Sequence, residues 1–358
     1  MGGVTIDHFV HEQGAVTVFF GAGEAGRLPE RIEFLEPSRI LLVHGGSGAA
    51  LAATLRATLA DRVVGTFDGV VQHVPAESAE RALTQSIESH ADTVVAIGGG
   101  SAIGYAKHIA RHTGARVAAV PTTYAGSEMT PIWGVTQDGR KATGRDPGVA
   151  PRLVVYDPEL TLTLPVSAGS SSGMNAIAHA VDAMYARDAS PLVTTMAVQA
   201  VELLAHALPA IVRAPRDMTA RTEASYGAHL AAMALAATGM ALHHRVCHVL
   251  GGTYGLPHAE THAVVLPYAV AYNESAAEEA NARVAAAVGG THAATSLWEL
   301  RRLLDLPAGL AELGMRQEDL EAAATDIAGS AGYNPAPVTR DGVLRLLRDT
   351  YEGRAPAT

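Results

Sequence analysis

A chain of 358 residues is long for one hydrophobic core, which predicts two domains and a cleft between them. With 48% hydrophobic and 17% charged residues, the composition suits a buried sheet flanked by amphipathic helices and excludes extensive disorder. A net charge of −10 without a cluster of Lys and Arg removes the footprint of nucleic-acid binding, and a single cysteine, Cys247, excludes an internal disulfide framework and suits the reducing cytoplasm.

The N-terminus, MGGVTIDHFVHEQ, has neither the basic nor the apolar region of a leader, and Ile6 stands where a myristoylation signal wants Ser or Thr. No stretch approaches the roughly 20 apolar residues of a membrane span. Residues 1–160 then alternate short β-branched runs with helical segments, the signature of βαβ units and a doubly wound, mostly parallel, Rossmann-like sheet. VTVFFGAG reads as a strand entering a glycine turn. Apolar runs at 39–44 (RILLVH), 93–97 (TVVAI) and 117–120 (VAAV) predict strands covered on both faces. Helix-compatible stretches at 49–60 and 78–91 and a strand at 63–67 fill the intervals, and Asp138-Gly139 in TQDGRK predicts a flanking hairpin. After LVVYD at 153–157 strand signals fade, and Ala/Leu/Val-rich segments with helical spacing run on. The boundary falls near 160, giving an α/β domain over 1–160 and an all-α domain over 161–358, with helices expected at 175–185, 191–207, 219–238, 242–250 and 276–288.

Three features carry chemistry. VVAIGGGSAIGYAK places Gly98, Gly99, Gly100 and Ser101 between a buried strand and a helix, where glycines let the backbone approach a pyrophosphate and helix N–H groups meet its charge. The turn is not GxGxxG, and a tight strand-to-helix connection would use the same glycines. PTTYAGSEMT next sets Thr122, Thr123, Ser127 and Thr130 at a carboxyl strand end, the edge where open α/β sheets bind ligands. Capping hydroxyls in a polar loop are the alternative. The third feature is a histidine constellation. Asn175 and His179 in GMNAIAHAV are four apart and share a helical face, and His244 and His248 in HHRVCHVLGGTYGLPHAETH repeat that spacing. His243, Arg245 and His262 add donors, and His258 follows Pro257 in a loop. Isolated histidines such as His206, His229 and His292 read as structural, whereas this concentration reads as a site.

In order and spacing these features, with VHGG and YDPELT, resemble the iron-containing alcohol dehydrogenase family over nearly the whole chain, and the histidine segments resemble its maleylacetate reductase branch. The resemblance implies a dehydroquinate synthase-like architecture, with NAD(P) in the first domain and a divalent metal in the second. Its metal positions fall on Asn175, His179, His244 and His258, with His248 beside the substrate. The family has aspartate where Asn175 stands, so three imidazoles and an amide leave a cation uncompensated, and a site without iron or zinc is expected. A family acid three positions after the glycine-loop serine is Gly104 here. His44 ends its strand where an acid would bind the ribose 2′-hydroxyl and repel a 2′-phosphate, so both NADH and NADPH are expected. Lys141 matches a lysine that approaches the cofactor in relatives.

The implied activity is NAD(P)H-dependent reduction of 2-maleylacetate to 3-oxoadipate in aromatic-compound breakdown, by a cytoplasmic homodimer. Charge developing on the ketone oxygen calls for preorganised donors, and a neighbouring acid must protonate carbon. His179, His244 and His258 are expected as the electrophilic wall and His248 or His243 as proton donor. Arg245, Asn175 and Tyr254 are expected to hold the dianion. Alternatives are a metal-dependent alcohol dehydrogenase, which Asn175 opposes, a sugar-phosphate cyclase, which wants a lysine-rich phosphate pocket, and a nucleotide-binding module, which leaves the imidazoles unexplained. No nucleic-acid or membrane partner is expected.

Overall fold

The computed structural model describes residues 11, 14–137, 140–330 and 332–356, the side chains of residues 140 and 141 excepted. The expectations for the N-terminal segment and for the Asp138-Gly139 turn lie outside the described residues. The chain divides into two compact units, one over Gln13–Pro165 and one built on Val166–Thr358.

The first unit is α/β. Its elements are β1 (Thr17–Phe20), α1 (Leu28–Ile32), β2 (Ile40–His44), α2 (Ala49–Thr58), β3 (Val63–Phe67), α3 (Ala76–Glu88), β4 (Thr93–Gly98), α4 (Gly100–Thr113), β5 (Arg116–Pro121), β6 (Ile132–Gln137), β7 (Arg140–Arg145) and β8 (Leu153–Tyr156). Six strands pair in the order β1-β8-β5-β4-β2-β3, and every pairing is parallel. The run ILLVH is buried at every position, as the absence of alternation requires of a strand covered on both faces. Leu28 and Ile32 of α1 and Leu55 of α2 pack with Ile40, Leu42, Ile97, Val120 and Val155 on one face, each buried side chain contributing roughly 1.5–3 kcal/mol. From β2 the chain runs outward to β3 and then returns past β2 to β4, so the carboxyl ends of β2 and β4 flank a topological switch point. β6 and β7 pair antiparallel in a separate two-stranded sheet.

The second unit is helical: α5 (Val166–Met184), α6 (Pro191–Arg213), α7 (Met218–Ala236), α8 (Leu242–Tyr254), α9 (His258–Tyr272), α10 (Glu278–Val288), α11 (Ala293–Leu303), α12 (Leu320–Gly329) and α13 (Arg340–Glu352). Helix α5 starts nine residues before the predicted position, because VSAGSSSG reads as a loop by composition. Ser170, Ser171 and Ser172 are buried, and two of them turn their hydroxyls back on the helix, Ser171 Oγ donating to Ala168 O and Ser172 Oγ to Gly169 O, both at 3.3 Å. Gly173 makes the close approach to α6, where a Cβ would stand 2.5 Å from Leu208 Cδ2. A second correction concerns His258, which is not in a loop but opens α9 directly after the cap residue Pro257. A third concerns α6: by length and composition it is apolar enough to cross a membrane, and 44% of that window is buried, packed against α5 and α7.

Candidate functional site

In the helical unit, Asn175, His179 and Asp182 recur at i, i+4 and i+7 and form one stripe of α5, buried throughout. His243 and His244 come from the first turn of α8 and His262 from the second turn of α9. His179 and His244 stack with ring centroids 5.2 Å apart, His262 stands 5.0 Å from His244 and 4.9 Å from His243, and His258 stands 4.4 Å from His262. His248 lies farther out, 6.2 Å from His244. His248, His258 and Arg245 are half-buried.

Asp182 is the centre of this arrangement, and sequence reasoning missed it. Its Oδ2 accepts from His244 Nδ1 at 2.6 Å and from Ala241 N at 3.1 Å, and its Oδ1 accepts from Tyr185 Oη at 2.7 Å. Burial alone would raise this carboxyl, but the His244 hydrogen bond and the neighbouring imidazoles outweigh it and hold it at about 2. An ionised Asp182 keeps the His244 proton on Nδ1 and leaves Nε2 as the unspent atom. For His179, His243 and His262 burial dominates. Burial, aided by repulsion between rings, drives His179 and His262 well below the usual histidine range and His243 down to about 4. These three are neutral at physiological pH. His243 Nε2 spends itself on the His262 carbonyl at 3.1 Å. Asn175 Oδ1, His179 Nδ1, His243 Nδ1, His244 Nε2 and both His262 ring nitrogens are buried without a partner. At about 1–3 kcal/mol per unmet buried group, so many together mark a chamber for a polar guest. The start of α8 is held in turn by Asn334, whose Oδ1 accepts from Leu242 N at 3.3 Å and which exchanges amide hydrogen bonds with Asn273.

In the sheet unit, α4 begins at Gly100 with no side-chain cap, and Ile103 N is the first to bond back, to Gly99 O. The N–H groups ahead of it are unspent by the helix. Gly98 has φ +151°, a conformation that favours glycine, and a Cβ on Gly99 would stand 3.0 Å from Thr123 Cγ2. A Cβ on Gly48 would stand 2.5 Å from Ile97 O, so the turn after β2 is pressed onto the end of β4, while Gly45 and Gly46 border open space. Thr122 joins the three strand ends: its N donates to Gly98 O at 3.1 Å and its hydroxyl pairs with Ser47 Oγ at 3.1 Å. His44 Nδ1 faces Gly45 O at 2.9 Å. An uncapped helix start under glycines without side chains fits a dinucleotide pyrophosphate.

Models of two families match the chain: iron-containing alcohol dehydrogenase over residues 15–158, and the C-terminal region of the Fe-containing alcohol dehydrogenase family over 170–351. The chain belongs to the iron-containing alcohol dehydrogenase family. Among relatives, it is similar to the maleylacetate reductase of Sphingobium indicum, at 45% identity over 98% of this chain and 99% of that one. It is likewise similar to that of Pseudomonas knackmussii, at 46% over 98% and 99%. The crystal structure of maleylacetate reductase from Agrobacterium tumefaciens superposes with a TM-score of 0.93 at 41% identity, covering 98% of this chain and all of that one.

The family's iron meets an unfamiliar donor set here. The positions implied by resemblance, Asn175, His179, His244 and His258, hold no carboxylate, and both oxygens of Asp182 are already taken. A geometrically tighter trio, His243, His244 and His262, brings ligating atoms within 4.8 Å of one another and likewise contains no carboxylate. Neither set fits the carboxylate-bearing site that iron(II) favours. Of the remaining predicted residues, Tyr254 packs on the core between α8, α9 and α12, its hydroxyl raised by burial and by Asp326 and Asp319. Ser127 and Thr130 are engaged by Lys107, which no motif had singled out. The Lys141 side chain lies outside the described residues. Asp182 was legible as i+3 from His179 and i+7 from Asn175; Lys107, within AKHIAR, carried no comparable signal.

Proposed function

We propose that this protein reduces 2-maleylacetate to 3-oxoadipate with NADH or NADPH and without a metal. The observation that carries the reading is the chamber of neutral, unspent imidazoles around His244, in a chain that matches maleylacetate reductases along nearly its whole length. When bound, the dinucleotide supplies a hydride to the alkene carbon β to the ketone. The alkene electrons move toward the ketone oxygen, and a proton must reach the carbon between them.

The residues divide this work by their surroundings. Each neutral ring has one N–H, and His262 and His179 have nitrogens left unspent, so they donate to the oxygen on which charge develops. His244, locked by Asp182 with Nδ1 protonated, presents its Nε2 lone pair as a fixed hydrogen-bond acceptor in the same cluster. Asn175 and Arg245 hold the carboxylates of the substrate. His248 is the proton donor: it is half-buried and can be reprotonated from solvent, whereas His243 is enclosed and committed to the His262 carbonyl. A cytoplasmic homodimer belongs to the same proposal, and light scattering checks its stoichiometry.

The test compares maleylacetate with short diols, using both dinucleotides, before and after chelation, alongside elemental analysis. Turnover of maleylacetate alone, unchanged by chelation, is expected. One observation favours a metal-dependent alcohol dehydrogenase, the His243–His244–His262 trio. Alcohol oxidation that is lost on chelation and restored by zinc or iron would establish that reading instead.

A further inference from the structure

Lys107 stands two turns along α4 from the glycine turn, fully buried. Its Nζ meets Ser127 O at 2.6 Å, Ile132 O at 2.8 Å, and Ser127 Oγ and Thr130 Oγ1 both at 3.2 Å. An ammonium has three protons, so four oxygens saturate it. All four belong to the segment that leaves β5 and enters β6. The start of that segment is fastened separately, by Thr122 N on Gly98 O and by the Thr122–Ser47 hydroxyl pair. Between these two attachments the segment lies against the first turn of α4: a Cβ on Gly99 would touch Thr123, and one on Gly100 would stand 3.5 Å from Ala125 Cβ. The segment is an arch over the helix start, with one foot on the glycine turn and the other on Lys107.

We propose that Lys107 is a positioning residue of the nucleotide site: its ammonium fixes the far foot of the arch, which sets Thr122 and Thr123 at a constant distance from the uncapped start of α4. The inference rests on the nicotinamide-dinucleotide reading above. Lys107 touches no cofactor; it acts through the arch.

The ionisation of Lys107 makes the role measurable. Burial pulls the amine down to about 7, opposed by the attraction of Glu128. Glu128 is itself buried, raised by that burial, and accepts from Tyr156 Oη of β8 at 2.7 Å. The other ionisable groups of α4 are engaged elsewhere: Tyr105 Oη with Val71 N, His108 with Glu80 of α3, His112 with the His108 carbonyl, and Arg111 on the Trp133 ring of β6. A neutral amine offers two N–H groups to four oxygens, and the arch loosens. Binding that requires the tight arch therefore favours protonated Lys107, so it takes up protons near neutrality and weakens as pH rises through that range.

The experiment is calorimetric titration of the intact enzyme with NADH, between about pH 6.5 and about pH 8.5, in buffers of different ionisation enthalpy. The wild type is expected to take up protons on binding. Lys107→Met is expected to bind about tenfold more weakly at the acidic end, the scale of one lost charged hydrogen bond, and to lose the uptake. Thr130→Val, which removes one acceptor and keeps the lysine, is expected to weaken binding about threefold and carries the test should Lys107→Met not fold. A folded Lys107→Met with wild-type affinity or undiminished uptake overturns the inference, as does Thr130→Val indistinguishable from wild type. A wild type that binds neither NADH nor NADPH overturns the dinucleotide reading and this inference with it.

Discussion

Asp182→Asn replaces a fully buried carboxylate by an amide of the same shape, and its consequences separate into stability and catalysis. In the folded chain Asp182 titrates at about 2 against an ordinary 3.8. A difference of nearly two units corresponds to roughly 2 kcal/mol. Because the folded value is the lower one, this stabilisation is fully present above 3.8 and disappears as pH falls through 2. The substitution removes it at neutral pH, and for a unit of this size about 2–4 °C of melting temperature go with each kcal/mol, so a loss of about 4–8 °C is expected by calorimetry. The catalytic effect is larger. An asparagine can present N–H to His244 Nδ1, which favours the opposite tautomer and spends the ring's Nε2 lone pair; kcat/KM for maleylacetate, followed by NADH oxidation, should fall by about 10²–10⁴ with KM for NADH little changed. An Asp182→Asn enzyme that is folded, melts with the wild type and turns over at the wild-type rate would refute the claim that this carboxylate orients His244.

Other outcomes follow from the same geometry. His243 is held at about 4 when folded against 6.5 unfolded, so the unfolded chain binds more protons between those values; the melting temperature should drop on acidification from 6.5 and level off near 4, and His243→Gln should flatten that slope. Asn175→Asp places an anionic donor among the imidazoles, and elemental analysis is expected to show more bound metal than in the unaltered protein, with maleylacetate turnover depressed by repulsion of the dianion. Gly99→Val drives a side chain into Thr123, 3.0 Å from where a Cβ would already stand, and should raise KM for NADH at least about tenfold while the melting temperature of the helical unit stays put.

Strands β2, β4 and β5 were legible because burial on both faces demands unbroken apolar runs, a signal that needs no knowledge of neighbours. The GGGS turn and the paired histidines were legible because fixed spacing places them at one strand end or on one helical face. What escaped has a common cause. The first turns of α5 are written in serine and glycine, which favour loops until a neighbour such as Leu208 needs a small surface and the hydroxyls can bond back to the helix. Pro257 was read as ending order around His258, whereas just before a helix a proline sacrifices no needed donor. Lys107 is an ordinary charged residue in sequence, and Asp182, although spaced on the face of Asn175 and His179, shows its role only through burial against His244 from another helix.

Gly173 and the Asn175–His179–Asp182 stripe sit on different sides of the same helix, separated around its axis by roughly 160°, 120° and 180° in turn. The notch filled by Leu208 is therefore the seat against which the whole donor row is registered. A methyl group added there has nowhere to go except by moving α5 off α6, and every donor on the far side travels with it. Packing and chemistry share one rod, so an enzyme damaged at Gly173 would present as a defect of the imidazole chamber although no atom of the change lies within it.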